Sequence, residues 1–410
     1  MTFEELYRTM LKQAVERGSV QADDLEASAG HLDCLLHPQD HPLVWPLNPC
    51  TCPKEETHCA AACLFDAIVR RDDGTLAVDR DRCSGCGACI QACQSGNLTA
   101  SRDVLPALDA VKHAKGPVYA LIAPAFLGQF STVVTPGRLR SAFKLLGFTG
   151  MVEVALFADL LTLKEALEFD RNIHTETDFQ LTSCCCPMWI GMIRKLYHEL
   201  MPHVPGAVSP MIAAGRTVKK LHPDAVTIFV GPCIAKKAEA READLAGAVD
   251  YVLTFQEMQD IFQAADIHPE LLEESERDHS SRAGRIYART GGVSEAVRTT
   301  VARLHPERPI QVRTRQADGV PACRAMIEDI RSGQHQANFF EGMGCTGGCV
   351  GGPKVLLDRE TGRENVDRYG DEAEFSTPLD NPYVLKLLRL LGFDTVEEFL
   401  EQSDIFIRHF

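Results

Sequence analysis

PVYALIAPAF (117–126) is an apolar run broken by a proline, and a helical pattern, RLRSAFKLLGF (138–148), follows it. The same alternation recurs downstream. VEVALF (152–157) reads as a second strand with ADLLTLKEALEF (158–169) helical after it. AVTIFV (225–230) leads into a loop at Gly231, and DYVLTF (250–255) leads into a helix from Gln256. Apolar strands alternating with amphipathic helices predict parallel sheets flanked by helices, an α/β fold. In such sheets the chemistry gathers in the loops that follow the strands.

Upstream of about residue 112 the character differs. Residues 1–33 hold a short amphipathic helix (Phe3, Leu6, Met10, Leu11, Ala14) and an acidic segment. From Cys34 to Cys93 the chain is rich in Cys, Pro and Gly, too poor in apolar residues to offset backbone ordering without a metal. We therefore expect three parts: a helical segment 1–33, an iron–sulfur unit 34–112 and a large unit 113–410. The chain has 16 cysteines in 410 residues. An acidic N-terminus and no long apolar run predict neither an export signal nor a spanning helix, so reduced thiols and a cytoplasmic location are expected. A net charge of −15 argues against nucleic acid and against an anionic membrane as partners.

CSGCGACIQAC places Cys83, Cys86, Cys89 and Cys93 at the C-x2-C-x2-C-x3-C spacing of bacterial ferredoxins, in which the fourth cysteine serves the neighbouring cluster. CTCPKEETHCAAAC offers Cys50, Cys52, Cys59 and Cys63. The expected pairing is Cys83, Cys86, Cys89 and Cys63 on one 4Fe–4S cluster and Cys50, Cys52, Cys59 and Cys93 on the other. Zinc is the alternative, although it favours two C-x2-C pairs over a tight run of three. Cys34 and Cys323 have no assigned role and read as buried thiols. No histidine shows a paired ligand spacing.

Three further motifs follow: LTSCCCPMW (181–189), VGPCIAKKAE (230–239) and EGMGCTGGCVGGP (341–353). On chemistry alone, Cys186, Cys233, Cys345 and Cys349 could hold one cubane, since soft iron–sulfur centres take thiolates. In this order the motifs, with APAF (123–126), DYVLTFQEM (250–258) and TGGVSEA (290–296), resemble the signatures of the FeFe-hydrogenase family. The resemblance runs from about Cys34 to the C-terminus.

It implies a two-lobed α/β catalytic domain with the site between the lobes, behind a small ferredoxin-like (α+β) domain with two 4Fe–4S clusters. The cofactor would be an H-cluster, a cubane that Cys349 bridges to a diiron unit with CO, cyanide and dithiolate ligands. Cys185 then matches the proton donor, and Lys236 the lysine that hydrogen-bonds a cyanide. Ala123, Pro124, Ser209, Pro210 and Met343 match pocket residues, and Glu239 a motif glutamate. Glu165 and Glu168, one helical turn apart, match relay glutamates, although an arbitrary E-x-x-E is more often a solvated helix face. Three positions depart from the family: Pro205 stands where the relay serine belongs, Gly231 replaces a common methionine and would leave room beside the diiron unit, and Cys184 replaces a serine.

The activity so implied is reversible reduction of protons to H2. Electrons would come from ferredoxin or a flavodoxin-type carrier, and separate maturation proteins would supply the cofactor. A non-catalytic hydrogenase-like assembly or electron-transfer protein and an H2-sensing hydrogenase are the alternatives.

Overall fold

The computed structural model describes residues 1–22, 25–53, 57–71, 73, 75–182, 185–275 and 279–410; Ser183 and Cys184 lie outside the described residues. Thr2 and Glu5 form a reciprocal capping box that starts the helix Phe3–Arg17, and Gly18 ends it in the left-handed conformation. Its buried face, Phe3, Leu6, Tyr7, Met10, Leu11 and Ala14, packs on the helices Val104–His113 and Phe255–Ala264. Cys34 is buried on the helix Ala29–Leu36.

Between them lie four short strands, β1 (Val44–Pro46), β2 (Ile68–Arg70), β3 (Leu76–Val78) and β4 (Leu98–Ala100). β1 pairs antiparallel with β4, and β2 with β3. The short helices His58–Ala61 and Ala88–Ala92 carry Cys59 and Cys89 and pack on one another. The small core beneath them (Val44, Ile68, Leu76, Leu98) includes Cys59 and Cys89 and abuts Cys50, Cys63, Cys83 and Cys93. So little apolar surface must be supplemented by metal.

The large unit holds two parallel sheets. One comprises β5 (Val118–Ile122), β6 (Gly150–Glu153), β8 (Val226–Gly231) and β9 (Tyr251–Thr254) in the order β6-β5-β8-β9. The other comprises β7 (Gln180–Leu181), β10 (Thr314–Asp318) and β11 (Phe339–Met343) in the order β10-β11-β7. Helices cover them, as continuous apolar strands require.

One boundary differs from the sequence reading. β6 stops at Glu153, and the ALF of VEVALF opens the helix Ala155–Asn172. That helix is buried on nearly every side, so its apolar start has no periodicity to separate it from a strand. Buried Asp159 on it accepts the N–H groups of Ser281 at 2.6 Å and Gly284 at 2.8 Å, and Asn381 Nδ2 at 3.3 Å. One carboxylate so fixes two segments about a hundred residues apart against the helix that carries Glu165 and Glu168.

Candidate metal centre

Every described cysteine is a free thiol. The structure gathers twelve of them in three groups of four. Cys50, Cys52, Cys59 and Cys93 line one small cavity, and Cys63, Cys83, Cys86 and Cys89 line another. Burial, then the neighbouring Cys86, Cys83 and Cys63, push the Cys89 thiol up to about 12. Burial likewise raises Cys59, with Cys93 and Cys50 adding to it. Ala67 N–H donates to Cys63 Sγ at 3.3 Å, the kind of backbone contact that stabilises a sulfur carrying negative charge. Among the described residues, no three His, Cys, Asp or Glu side chains converge closely enough to hold a single metal ion.

The third group comes from both sheets. Cys186 follows β7 and opens the helix Pro187–Leu196, Cys233 follows β8, and Cys345 and Cys349 follow β11. Each therefore sits beyond the carboxyl end of a parallel strand, where open α/β sheets build their sites. Burial, then each other's proximity, push Cys233 up to about 11 and Cys349 up to about 12, and raise Cys345 too. Four thiolates can stand together here only against a strongly cationic partner. Gly344 N–H donates to Cys186 Sγ at 3.2 Å. Gly348, at φ +87° and 2.8 Å (from its ideal Cβ) to Thr290 N, admits no side chain, so the TGG turn packs directly on TGGVSEA.

The second and third groups adjoin. Cys86 is among the charges that Cys345 senses. At Gly85 a Cβ would stand 3.0 Å from the Ala235 backbone, so only glycine lets the CSGCG loop rest on VGPCIA. Ser84 Oγ donates to Met188 Sδ at 2.9 Å. Cys86, Cys186 and Cys233 all pack against the apolar cluster around Trp189.

Around the third group, Cys185 and Cys186 pack on the cluster containing Met343, Phe339 and Tyr287. Lys236 is buried, its Nζ 2.6 Å from Glu239 Oε2, with Cys233 and Cys349 close enough to favour its charge. Ala123 and Pro124 end β5, Ala123 N–H donating to the Val230 carbonyl. Ser209 Oγ accepts the Ile212 N–H and, with Pro210, starts the helix Pro210–Leu221; Ser209 also faces a cleft lined by Cys83, Pro187 and Glu239. The room expected at Gly231 is absent. Phe229 points the same way two residues earlier, and its ring lies 2.6 Å from where a Gly231 Cβ would be, with Ala123 Cβ at 3.0 Å.

Glu165 is fully buried and Glu168 nearly so, on one face of their helix, not on a solvated one. Glu168 pairs with Lys164, only 1% exposed; burial raises the Glu168 carboxyl while Lys164 opposes this. Glu168 and Pro205 line the same cavity of 470 Å³. Buried Glu168 Oε2, Gln180 Oε1 and Thr182 Oγ1 have no hydrogen-bond partner among the described residues. Of these, Glu168 and Gln180 line that cavity together. Sequence reading passed over Lys164, Gln180 and Thr182, because no motif marks a residue whose role is set by a neighbouring strand.

Beside the third group, buried Glu341 accepts the N–H groups of Gly291 and Ser294, each at 2.7 Å, and thereby anchors TGGVSEA beside the cysteine loop. Among the described residues, no helix is long and apolar enough to cross a membrane.

The family described as iron only hydrogenase large subunit, C-terminal domain, matches residues 116–353, and a 4Fe-4S binding domain matches 76–99. Iron hydrogenase 1 of Clostridium pasteurianum is 27% identical over 369 residues, covering 68% of this chain and 64% of its own length. The NADP-reducing hydrogenase subunit HndD of Solidesulfovibrio fructosivorans is 25% identical over 365 residues, covering 74% of this chain and 62% of its own. The chain thus spans less than two thirds of the length of these curated relatives. An apo FeFe-hydrogenase structure from Chlamydomonas reinhardtii aligns with a TM-score of 0.63 at 22% identity, over 75% of this chain and 98% of that one, a likeness of fold. The buried thiol groups fit the cofactors of the matched domains, 4Fe–4S clusters and the H-cluster. With more than half its length matched, the chain belongs to the iron-only hydrogenase family.

Proposed function

We propose that this chain is a hydrogenase that reversibly reduces protons to H2, taking electrons from ferredoxin or a flavodoxin-type carrier. The observation that carries the reading is the meeting of Cys186, Cys233, Cys345 and Cys349 at the strand ends with Cys185, Met343 and Lys236 around them. A plain cubane needs the four thiolates and none of the other three. Cys186, Cys233, Cys345 and Cys349 would hold the H-cluster, inserted by maturation proteins. When bound, the cluster supplies the electrons and the open iron at which H2 is made or split.

The chain's own residues do the rest. Cys185 holds and releases the proton at its Sγ, a thiol having an intrinsic pKa of about 8.5. Lys236 offers a charged donor, fixed in place by Glu239. Met343, Ala123, Pro124, Ser209 and Pro210 shape a dry pocket. Glu168 and Glu165 pass protons inward, burial raising the Glu168 carboxyl above its ordinary value. The two N-terminal groups would carry electrons, Cys63 with Cys83, Cys86 and Cys89 on the inner cluster and Cys93 with Cys50, Cys52 and Cys59 on the outer. A cytoplasmic setting accords with free thiols.

Infrared spectroscopy of matured protein, with H2 evolution from reduced ferredoxin, tests the reading: bands of metal-bound CO and cyanide together with turnover are expected. Their absence after full maturation would leave only an iron–sulfur protein. The crossed ligation makes a separate prediction. Cys93→Ala should remove the outer cluster, although Cys93 belongs to the inner cluster's sequence motif, and Cys63→Ala should remove the inner one. Electron paramagnetic resonance of each variant distinguishes this from uncrossed ligation, which reverses the two results.

A further inference from the structure

Pro205 has no hydroxyl, yet a titratable ring lies two residues before it. His203 ends the helical turn His198–His203 and lines the same 470 Å³ cavity as Glu168, Asp178, Gln180 and Pro205. Its ring stacks on Phe179 at 3.8 Å between centroids and 18° between planes. Its Nδ1 lies 3.3 Å from the Phe179 carbonyl, which can only accept, so Nδ1 carries a hydrogen and Nε2 is the exchangeable nitrogen. Phe179 itself leads directly into β7. The ring is thus held in one orientation by the residue that leads into β7.

Other charged groups at the cavity are already committed. Asp178 accepts the N–H groups of His174 and Thr175 at 2.8 and 2.7 Å, which holds its carboxyl below the usual range and unable to carry a proton near neutrality. Lys164 is paired with Glu168. His335 lies on the far side, its ring edge-on to Phe179 at 5.6 Å. Among the described residues, the groups left to receive or deliver a proton in the cavity are His203 and Glu168, whose Oε2 has no hydrogen-bond partner there.

We propose that His203 loads protons onto Glu168 through cavity water, in place of the hydroxyl that Pro205 lacks. This rests on the relay reading of Glu168 above. The proton on Nε2 leaves through water to Glu168 Oε2, and Nε2 regains one from solvent; the other hydrogen stays on Nδ1, donated to the Phe179 carbonyl. Burial lowers the His203 pKa from its ordinary value, only Asp178 and the Phe179 carbonyl opposing it, so the ring gives up its proton readily at neutral pH.

The test uses full-chain matured enzyme, His203→Gln, and His203→Phe, which keeps the stacking on Phe179 without a titratable nitrogen. With saturating reductant near neutral pH, both variants should evolve H2 about tenfold more slowly, less than the roughly 10² or more lost at a reacting atom. Added imidazole should restore much of the rate in His203→Gln. In the unsubstituted chain, the His203 titration midpoint by nuclear magnetic resonance should fall below about 6.5 and coincide with a bend in the pH–rate profile that both variants lack. An unchanged rate and profile in folded His203→Phe would overturn the inference while leaving the hydrogenase reading intact. No turnover in the unsubstituted matured enzyme would remove both.

Discussion

Cys185→Ala is expected to lower H2 turnover by about two to four orders of magnitude, the contribution of a positioned proton-transfer group, with iron content and CO and cyanide bands unchanged. The expectation follows from position. Cys185 lies between the end of β7 and Cys186, half-buried and packed on the cluster that contains Met343. Cys185→Ser is the control for shape: a hydroxyl fills nearly the same space but holds its proton far too tightly to exchange it near neutrality. Both variants should therefore load normally and turn over poorly, whether electrons come from a protein carrier or a small reductant. Full activity in Cys185→Ala would end the proton-donor assignment, and loss of iron would mean that Cys185 is a ligand.

How much of this site could be read in advance depended on whether the chemistry was local. The three motifs are contiguous strings whose residue types suit a thiolate-held cluster, so their cysteines were visible before any fold. Non-local roles were not. Lys164 reads as one more charge on a helix until burial shows that it pairs with Glu168. His203 lacks a partner at ligand spacing, and its meaning comes from Phe179, 24 residues earlier. Gly231 misled because a missing side chain looks like space, whereas strand pleating puts Phe229 on the same face to fill it. Cys184 lies outside the described residues.

The fold was legible where apolar runs were bounded by glycine or proline. VTIFVG ends at Pro232 and PVYALI at Pro124, and β8 and β5 begin and stop within a residue or two of those marks. Where strand passes straight into a buried helix, as at Val154, the apolar pattern has no punctuation and the boundary blurred. The two-residue β7 gave no signal at all. Its existence depends on Phe339 and Phe340 of β11, with which Gln180 and Leu181 are in register. That pairing is nonetheless what brings LTSCCCPMW to EGMGCTGGC, so the weakest strand in the sequence positions Cys186 against Cys345 and Cys349.

Cys345→Ala should abolish both the H-cluster and turnover. Cys345 stands among the other thiols of its group: after burial, Cys233, Cys186, Cys349 and Cys86 all raise it. Without it, three thiolates leave one corner of a cubane without a ligand. CO and cyanide bands should vanish and iron should fall by the share of the H-cluster, while resonance signals of the two N-terminal clusters persist. Cys323→Ala supplies the comparison. Cys323 is also fully buried and close enough to Cys186 to sense it, but its S–H points at the carbonyls of Ala317 and Met343 at 3.5 and 3.3 Å. It should cost about 1 kcal/mol of stability and leave metal and turnover intact. Retained iron in Cys345→Ala, or its loss in Cys323→Ala, would mean that the cluster sits elsewhere in the fold.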